Sequence, residues 1–186
     1  MRMPRILQKD ASALRTVARE VPIKDIRNPR VKRIIEEMRA ALDGEADGVA
    51  LAAPQIGETL RIFVVSPKAF KKNTATEKEH EPDTKEVKKN PNENLVYINP
   101  VIIKLSKKKD ELAEGCLSVH HMYGRVARST KATVRAYNER GELFERGGSG
   151  LLAQIFQHEI DHLDGVLFTD KAVDVEEVQT ESLKEL

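Results

Sequence analysis

The chain has 186 residues, 40% of them apolar, which suits one domain whose core can form without disulfides. Its one cysteine, Cys116, cannot pair within the chain, so we expect a reducing, cytoplasmic location, and no stretch is apolar enough for a membrane span or secretory signal. The 31 lysines and arginines nearly balance the 30 aspartates and glutamates, which excludes a global basic field as the basis for binding nucleic acid.

The first predicted element is an amphipathic helix. Apolar residues recur at spacings of three and four over residues 31–42, Pro29 suits a first helical turn, and the helix should end near Gly44. The next segment, residues 48–57, consists mostly of small residues, and Pro54 opposes a helix there. We therefore predict a tight loop that packs closely against a neighbour.

The middle of the chain is predicted to be mainly β. Residues 60–65 form one buried strand, and residues 95–105, interrupted by a proline, form another strand or a strand pair. Between them, residues 68–94 are crowded with charged residues and predict a solvated surface insertion without a catalytic role. Further strands and a hairpin turn are expected at residues 114–119, 125–128, 132–137 and 138–141.

A second helix, predicted over residues 150–165, carries the residues suited to chemistry. His158 and His162 are four residues apart, so both lie on one helix face, and Glu159 is adjacent in sequence. Such a pair of histidines can bind one metal ion, and the glutamate can exchange a proton with a water that the metal activates. The alternative is that the histidines decorate a solvent-facing turn, but polar residues in an apolar helix need partners.

A catalytic metal site usually has a third protein ligand, and Cys116 is the leading candidate. It follows Gly115, which lets the backbone approach a neighbouring group closely. A single cysteine is more often a small buried apolar residue, so the helix motif is what favours the ligand role. Acidic residues after the helix are weaker candidates: Asp170, Asp174, Glu176 and Glu177.

Three stretches, residues 48–55, 114–118 and 157–165, resemble in order and separation the signature motifs of peptide deformylases. The resemblance extends from about residue 6 to residue 168. It implies an α+β fold in which antiparallel β-sheets pack around a central metal-binding helix, as a single domain over residues 1–186. It also implies removal of the formyl group from the N-terminal methionine of newly synthesised polypeptides, with release of formate.

The resemblance assigns roles to individual residues. The implied metal ligands are Cys116, His158 and His162. In this family the ion is usually Fe²⁺, and Zn²⁺, Ni²⁺ or Co²⁺ can replace it. Glu159 would carry the proton, while the backbone N–H of Leu117 and the side-chain amide of Gln55 would stabilise the oxyanion. Glu114 and Arg128 resemble a supporting ion pair, although either could be an exposed charge.

Other residues are implied to line a narrow cleft in which the substrate peptide adds as an extended strand. These are Gly48, Val49, Ala50, Leu112, Leu151 and Ile155. Val49, Leu112, Leu151 and Ile155 would hold the methionine side chain, but core packing is an equally good interpretation for each of them.

The sequence departs from the family pattern in places. Ala50 stands where glycine is common, and Tyr123 stands where arginine is expected. The nearby His120 and His121 could offer alternative ligands, but a solvated loop is the better interpretation. The acidic tail at residues 171–186 should repel RNA, so a transient ribosome contact would need another surface. We expect a monomer.

Two rival functions stay open at this point. The enzymatic rival is a metalloprotease, or a deformylase-like hydrolase that acts on a different N-acyl peptide. The other rival is a metal-binding or ribosome-associated module that has kept the fold and lost turnover.

Overall fold

The computed structural model describes residues 4–71 and 94–178. Its helices are α1 (Pro29–Asp43), α2 (Lys68–Lys71) and α3 (Gly150–Leu163). Its strands are β1 (Ala50–Ala52), β2 (Ile62–Val65), β3 (Leu95–Leu105), β4 (Lys109–Cys116), β5 (Val119–Ser129), β6 (Lys131–Tyr137), β7 (Leu143–Ser149) and β8 (Val173–Glu177). None of the helices in these ranges is both long enough and apolar enough to span a membrane.

Helix α1 forms where the apolar spacing predicted it. The Asn28 side chain accepts a hydrogen bond from the backbone N–H of Arg30, which satisfies one of the free donors at the start of the helix. Pro29 occupies the first turn, and the helix ends one residue before Gly44. Its buried face packs against β1 and β2, so α1 covers one side of the larger sheet.

The larger antiparallel sheet has the strand order β1-β2-β3-β6-β7 in the part of the chain that is described. Successive residues of β2 point to opposite faces, with Ile62 in the apolar cluster beneath α1 and Phe63 in the cluster beneath α3. The Phe63 ring stacks on Tyr97 at 4.5 Å between centroids, and Tyr97 meets Phe156 of α3 edge-on at 5.5 Å. These aromatic contacts hold α3 in the centre of the molecule.

The second sheet, β4-β5-β8 among the described residues, bears the turn that carries the cysteine. Strands β4 and β5 form a hairpin that ends in the pair Cys116↔Val119. The prediction of one strand over 114–119 was therefore wrong, because the chain reverses within that range. Strand β8 pairs with β5 and is built from the start of the predicted acidic tail, whose last residues, 179–186, lie outside the described residues.

The prediction of a loop over residues 48–57 was also wrong in part. Strand β1 pairs with β2, and a 3-10 turn, Ala53–Ile56, follows it. A strand of only three residues has no readable periodicity, which is why the sequence pattern missed it. Residues 95–105 form one strand with an irregularity after Ile98, next to Asn99 at φ 51°. Most of the predicted insertion at 68–94 lies outside the described residues. Its first residues form helix α2, and Ala69 is fully buried in the core, so the prediction of a solvated loop was wrong there.

Candidate metal centre

The side chains of Cys116, His158 and His162 meet at the junction of the β4–β5 hairpin and helix α3. One donor atom from each lies within 4.8 Å of the others, and the Cys116 sulfur is 3.2 Å from His162 Nε2. The two imidazole rings are 4.9 Å apart between centroids and nearly perpendicular. A thiolate and two imidazoles at this spacing fit a divalent metal ion and leave room for a further ligand.

A break in strand pairing aims the cysteine at the helix. The pairing register shifts between Gly115 and Cys116, and such an irregularity redirects the side chain that follows it. The backbone N–H of Ser118 lies 3.4 Å from the Cys116 sulfur, and Gln55 Nε2 lies 3.6 Å from it. Both groups are hydrogen-bond donors, so together they fix the position of the sulfur beside the histidines.

The two histidines differ electrostatically in the metal-free protein. Burial lowers the pKa of His162 well below 6.5, and His158 lowers it further, so its ring is neutral and able to bind a metal. Burial also opposes the charged form of His158, but hydrogen bonds to Cys116 and Glu114 outweigh it and raise the pKa of His158 well above 6.5. Metal binding should therefore release a proton.

Glu159 is a buried carboxylate beside these ligands. Its side chain is 4% exposed, and its Oε2 atom has no hydrogen-bond partner in the described part of the chain. Burial raises the pKa of Glu159 from 4.5 to about 7. A carboxylate in this state can accept and return a proton near neutral pH.

Glu114 and Arg128 form a buried ion pair behind His158. Arg128 Nε and Nη2 donate to the two oxygens of Glu114 at 2.7 and 2.9 Å, and Glu114 Oε2 lies 3.0 Å from His158 Nδ1. Burial alone would raise the pKa of Glu114, but the hydrogen bonds from Arg128 and His158 lower it to about 2. Glu114 is therefore ionised, and its contact with Nδ1 leaves the Nε2 atom of His158 for a metal.

The side chain of Gln55 is held with its amide N–H groups directed toward the Cys116 sulfur. Its Oε1 accepts from the backbone N–H of Ala52 at 2.8 Å, and its Nε2 donates to Ser118 Oγ at 3.1 Å. The Leu117 carbonyl accepts from Gln8 Nε2 at 3.1 Å, which fixes the turn after Cys116. Gln8 and Ser118 were not singled out by the sequence, because their contacts depend on long-range folding.

The residues implied to line the cleft come from three places: the start of β1, strand β4, which carries Leu112, and the first half of α3. Ala50 lies in a regular strand and does not have a positive φ, so its methyl group causes no backbone strain. A side chain at Gly48 would lie 2.9 Å from Leu42 and Glu45, so this position has no space for one. Ile155 is 4% exposed and packs in the core, while the remaining members are half-buried: Val49, Leu112 and Leu151.

The alternative ligands lie apart from this group in the described residues. Asp170 accepts a hydrogen bond from Arg15, which lowers the pKa of Asp170, and Asp174 pairs with Arg125. The remaining candidates are exposed: His120, His121, Glu176 and Glu177. Tyr123 is 51% exposed, and its ring lies over Gly115, where an added Cβ would be 2.7 Å from it.

Sequence reasoning also missed Asp161 and Gln154 of helix α3. Asp161 Oδ2 accepts from Arg128 Nη1 at 2.6 Å, and Gln154 Nε2 donates to the Ala113 carbonyl at 2.9 Å. Their positions three residues after and four residues before His158 place them on nearly the same helix face. That spacing was the available signal.

Comparisons with known proteins agree on one family. A model described as polypeptide deformylase matches residues 3–178. The chain is 42% identical over 150 residues to a peptide deformylase of Roseiflexus sp. (strain RS-1), covering 80% of this chain and 76% of that protein. It is 39% identical over 173 residues to one from Desulfitobacterium hafniense, covering 92% and 96%. The crystal structure of peptide deformylase from Thermotoga maritima superposes with a TM-score of 0.75 at 31% identity, covering 93% of this chain and 99% of that one.

Proposed function

The chain belongs to the polypeptide deformylase family, and we propose that Cys116, His158 and His162 hold the metal ion on which its activity depends. It is a hydrolase that removes the formyl group from the N-terminal methionine of newly made polypeptides. The observation that carries the proposed ligand set is the approach of the three donor atoms to within 4.8 Å of one another. A thiolate and two imidazoles form a complete set of protein ligands for a catalytic site.

In the proposed mechanism Glu159 moves the proton. A divalent ion held by Cys116, His158 and His162 would supply Lewis acidity toward the formyl group and the attacking water. Glu159, buried and without a partner at Oε2, accepts the proton of the attacking water and then gives it to the departing amine. Burial raises the pKa of Glu159 in the metal-free protein, and this makes the carboxylate basic enough to take up a proton.

Gln55 and the backbone N–H of Leu117 are proposed to stabilise the oxyanion that develops on the formyl oxygen. Ala52 anchors the oxygen of the Gln55 amide, so its N–H groups stay directed toward the cysteine. Because the Gln55 amide is already oriented before substrate binds, little reorganisation of this side chain is needed in the transition state.

The substrate is proposed to bind as an extended strand along β1. This strand pairs with β2 on one side, and no strand pairs with its other side in the described part of the chain. Its free backbone groups can bond to a peptide, while half-buried Val49, Leu112 and Leu151 accept the methionine side chain. Gly48, Ala50 and Ile155 complete the proposed walls.

The remaining features of the function are also proposals. Fe²⁺ is the proposed physiological ion, and Zn²⁺, Ni²⁺ or Co²⁺ suits the same donors. A monomer in the cytoplasm is proposed, and the free thiol of half-buried Cys116 suits that reducing compartment. A transient ribosome contact would use a surface other than the acidic tail, because the negative charges of that segment repel RNA.

The experiment that tests this function uses protein loaded anaerobically with Fe²⁺. Formyl-Met-Ala-Ser should yield formate, and Glu159→Gln should abolish turnover while leaving metal bound. Glu176→Gln, the same change on exposed strand β8, is the matched control and should retain activity. Cleavage of acetylated peptides at an equal rate would favour the broader N-acyl hydrolase, and metal binding without formate release would favour the inactive module.

A further inference from the structure

A line of polar side chains connects Asp161 to His158 through the ion pair behind the proposed metal site. Asp161 Oδ2 accepts from Arg128 Nη1 at 2.6 Å, while the other guanidinium nitrogens of Arg128 bind Glu114. Glu114 in turn contacts His158 Nδ1 at 3.0 Å. We propose that Asp161 is a positioning residue that sets the geometry of the metal ligands through Arg128 and Glu114. This inference rests on the proposed ligand set.

A positioning residue is needed because the proposed metal ligands come from two different structural elements. Cys116 belongs to the β4–β5 hairpin, whereas His158 and His162 belong to α3, so their spacing depends on how the hairpin sits against the helix. Arg128 extends from the hairpin and reaches Asp161 on the helix. The contact therefore fixes the helix to the hairpin one helical turn from a metal ligand.

The buried charge of Arg128 makes the Asp161 carboxylate necessary. The Arg128 side chain is 4% exposed and that of Glu114 is 2% exposed, so neither charge is solvated by bulk water. Glu114 alone would have to balance Arg128 while also orienting His158. Asp161, at 14% exposure, supplies a second carboxylate on the far side of the guanidinium and leaves Glu114 oriented toward the imidazole.

Helix α3 presents one stripe of residues to this pair. Gln154, His158 and Asp161 are spaced by four and three, and each bonds to Glu114 or Arg128. Lys171 Nζ reaches Asp161 Oδ1 at 2.6 Å, but it is 45% exposed and should contribute little. Because Asp161 lies in this stripe, we assign it a role in holding the metal site rather than that of an ordinary solvated surface residue.

The test compares Asp161→Asn with Asp164→Asn. Asparagine keeps the shape and one acceptor oxygen of Asp161 but removes the charge that Arg128 needs. Asp164 follows the last residue of α3, one turn after Asp161. Its side chain is 49% exposed and pairs with Arg61, outside the line of contacts to His158, so Asp164→Asn is the matched control. Co²⁺ affinity is measured anaerobically by competition with a chelator, with the thiolate-to-cobalt absorption band and the metal-induced rise in Tm as further readouts.

Asp161→Asn should bind Co²⁺ roughly tenfold more weakly, the lower end of the effect of removing partners of metal ligands, with a smaller metal-induced rise in Tm. Asp164→Asn should match the wild type. A lowered Tm of metal-free Asp161→Asn with unchanged Co²⁺ affinity would show a merely structural role and overturn the inference. If Asp161→Asn does not fold, Asp161→Glu keeps the charge with a longer reach and should also weaken binding, and unchanged affinity would again contradict it. Failure of the wild type to bind Co²⁺ through Cys116 would instead refute the ligand set.

Discussion

Glu114 Oε2 lies 3.0 Å from His158 Nδ1, so a buried carboxylate of strand β4 orients an imidazole of helix α3. The same carboxylate accepts two hydrogen bonds from Arg128, which is equally buried. Ligand orientation and the stability of the interior therefore depend on one side chain.

Replacing Glu114 should weaken both metal binding and folding. Glu114→Gln leaves the Arg128 charge with only one carboxylate, which should lower the free energy of unfolding by about 3 kcal/mol. Loss of the negative partner of His158 should reduce metal affinity by roughly 10- to 100-fold. Urea unfolding and chelator competition measure the two effects.

The matched control for this prediction is Glu145→Gln, because Glu145 pairs with Arg135 where both side chains are 49% exposed. Its effect on stability should stay below about 1 kcal/mol. Equal effects of the two substitutions would contradict a special role for Glu114.

Glu159 should make the stability of the metal-free protein depend on pH. Its pKa is raised to about 7 by burial, so the folded state holds a proton between about pH 4.5 and pH 7 that the unfolded chain releases. The stabilising contribution is fully present below pH 4.5 and is lost as pH rises through 7, amounting to about 3 kcal/mol.

Glu159→Gln removes this titration. The free energy of unfolding of the metal-free variant should therefore equal that of the wild type at about pH 4 and exceed it at about pH 8. Urea unfolding of both proteins across this range, with chelator present, measures the difference. Parallel stability profiles would mean that Glu159 titrates normally despite its burial.

Gln55→Met should slow the chemical step while leaving metal bound. Methionine has a similar volume but offers no N–H to the oxyanion, so kcat should fall by about 10²- to 10³-fold, with a smaller change in KM. Steady-state kinetics and metal analysis of the same samples test this. A rise in KM at constant kcat would instead make Gln55 a residue that binds the ground state.

Ala50→Gly should bring no gain in activity. Ala50 lies in a regular strand without positive φ, so glycine relieves no strain and should destabilise the fold by about 0.5 to 1 kcal/mol. Thermal unfolding and kcat/KM for a formylated peptide are the measurements. A marked rise in kcat/KM would show that the Ala50 methyl group obstructs the substrate.

The sequence predicted the parts of this molecule that depend on local spacing. Helix α1 and the approach of His158 to His162 follow from residues three and four apart. Strand β1 was missed because three residues are too few to show a periodicity. The Asp161 contact to Arg128 was missed because it joins elements that meet only in the folded chain.

Cys116, the proposed third ligand beside the two histidines, was predicted only in part from the sequence. Cys116 was favoured because it was the chain's one cysteine, followed Gly115 and accompanied the helix motif of two histidines, and the family resemblance then assigned it the same role. No spacing placed it near the helix. The redirection of its side chain by the irregular pairing after Gly115 depends on the hairpin turn, which the sequence pattern had read as continuous strand.

The most direct measurement is X-ray absorption spectroscopy of zinc-loaded wild type and Cys116→Ser. The wild type should show one sulfur ligand at about 2.3 Å and nitrogen ligands from two imidazoles at about 2.0 to 2.1 Å, and the variant should lose the sulfur shell. A wild-type spectrum without sulfur, or with imidazole from fewer than two histidines, would contradict the shared site of Cys116, His158 and His162.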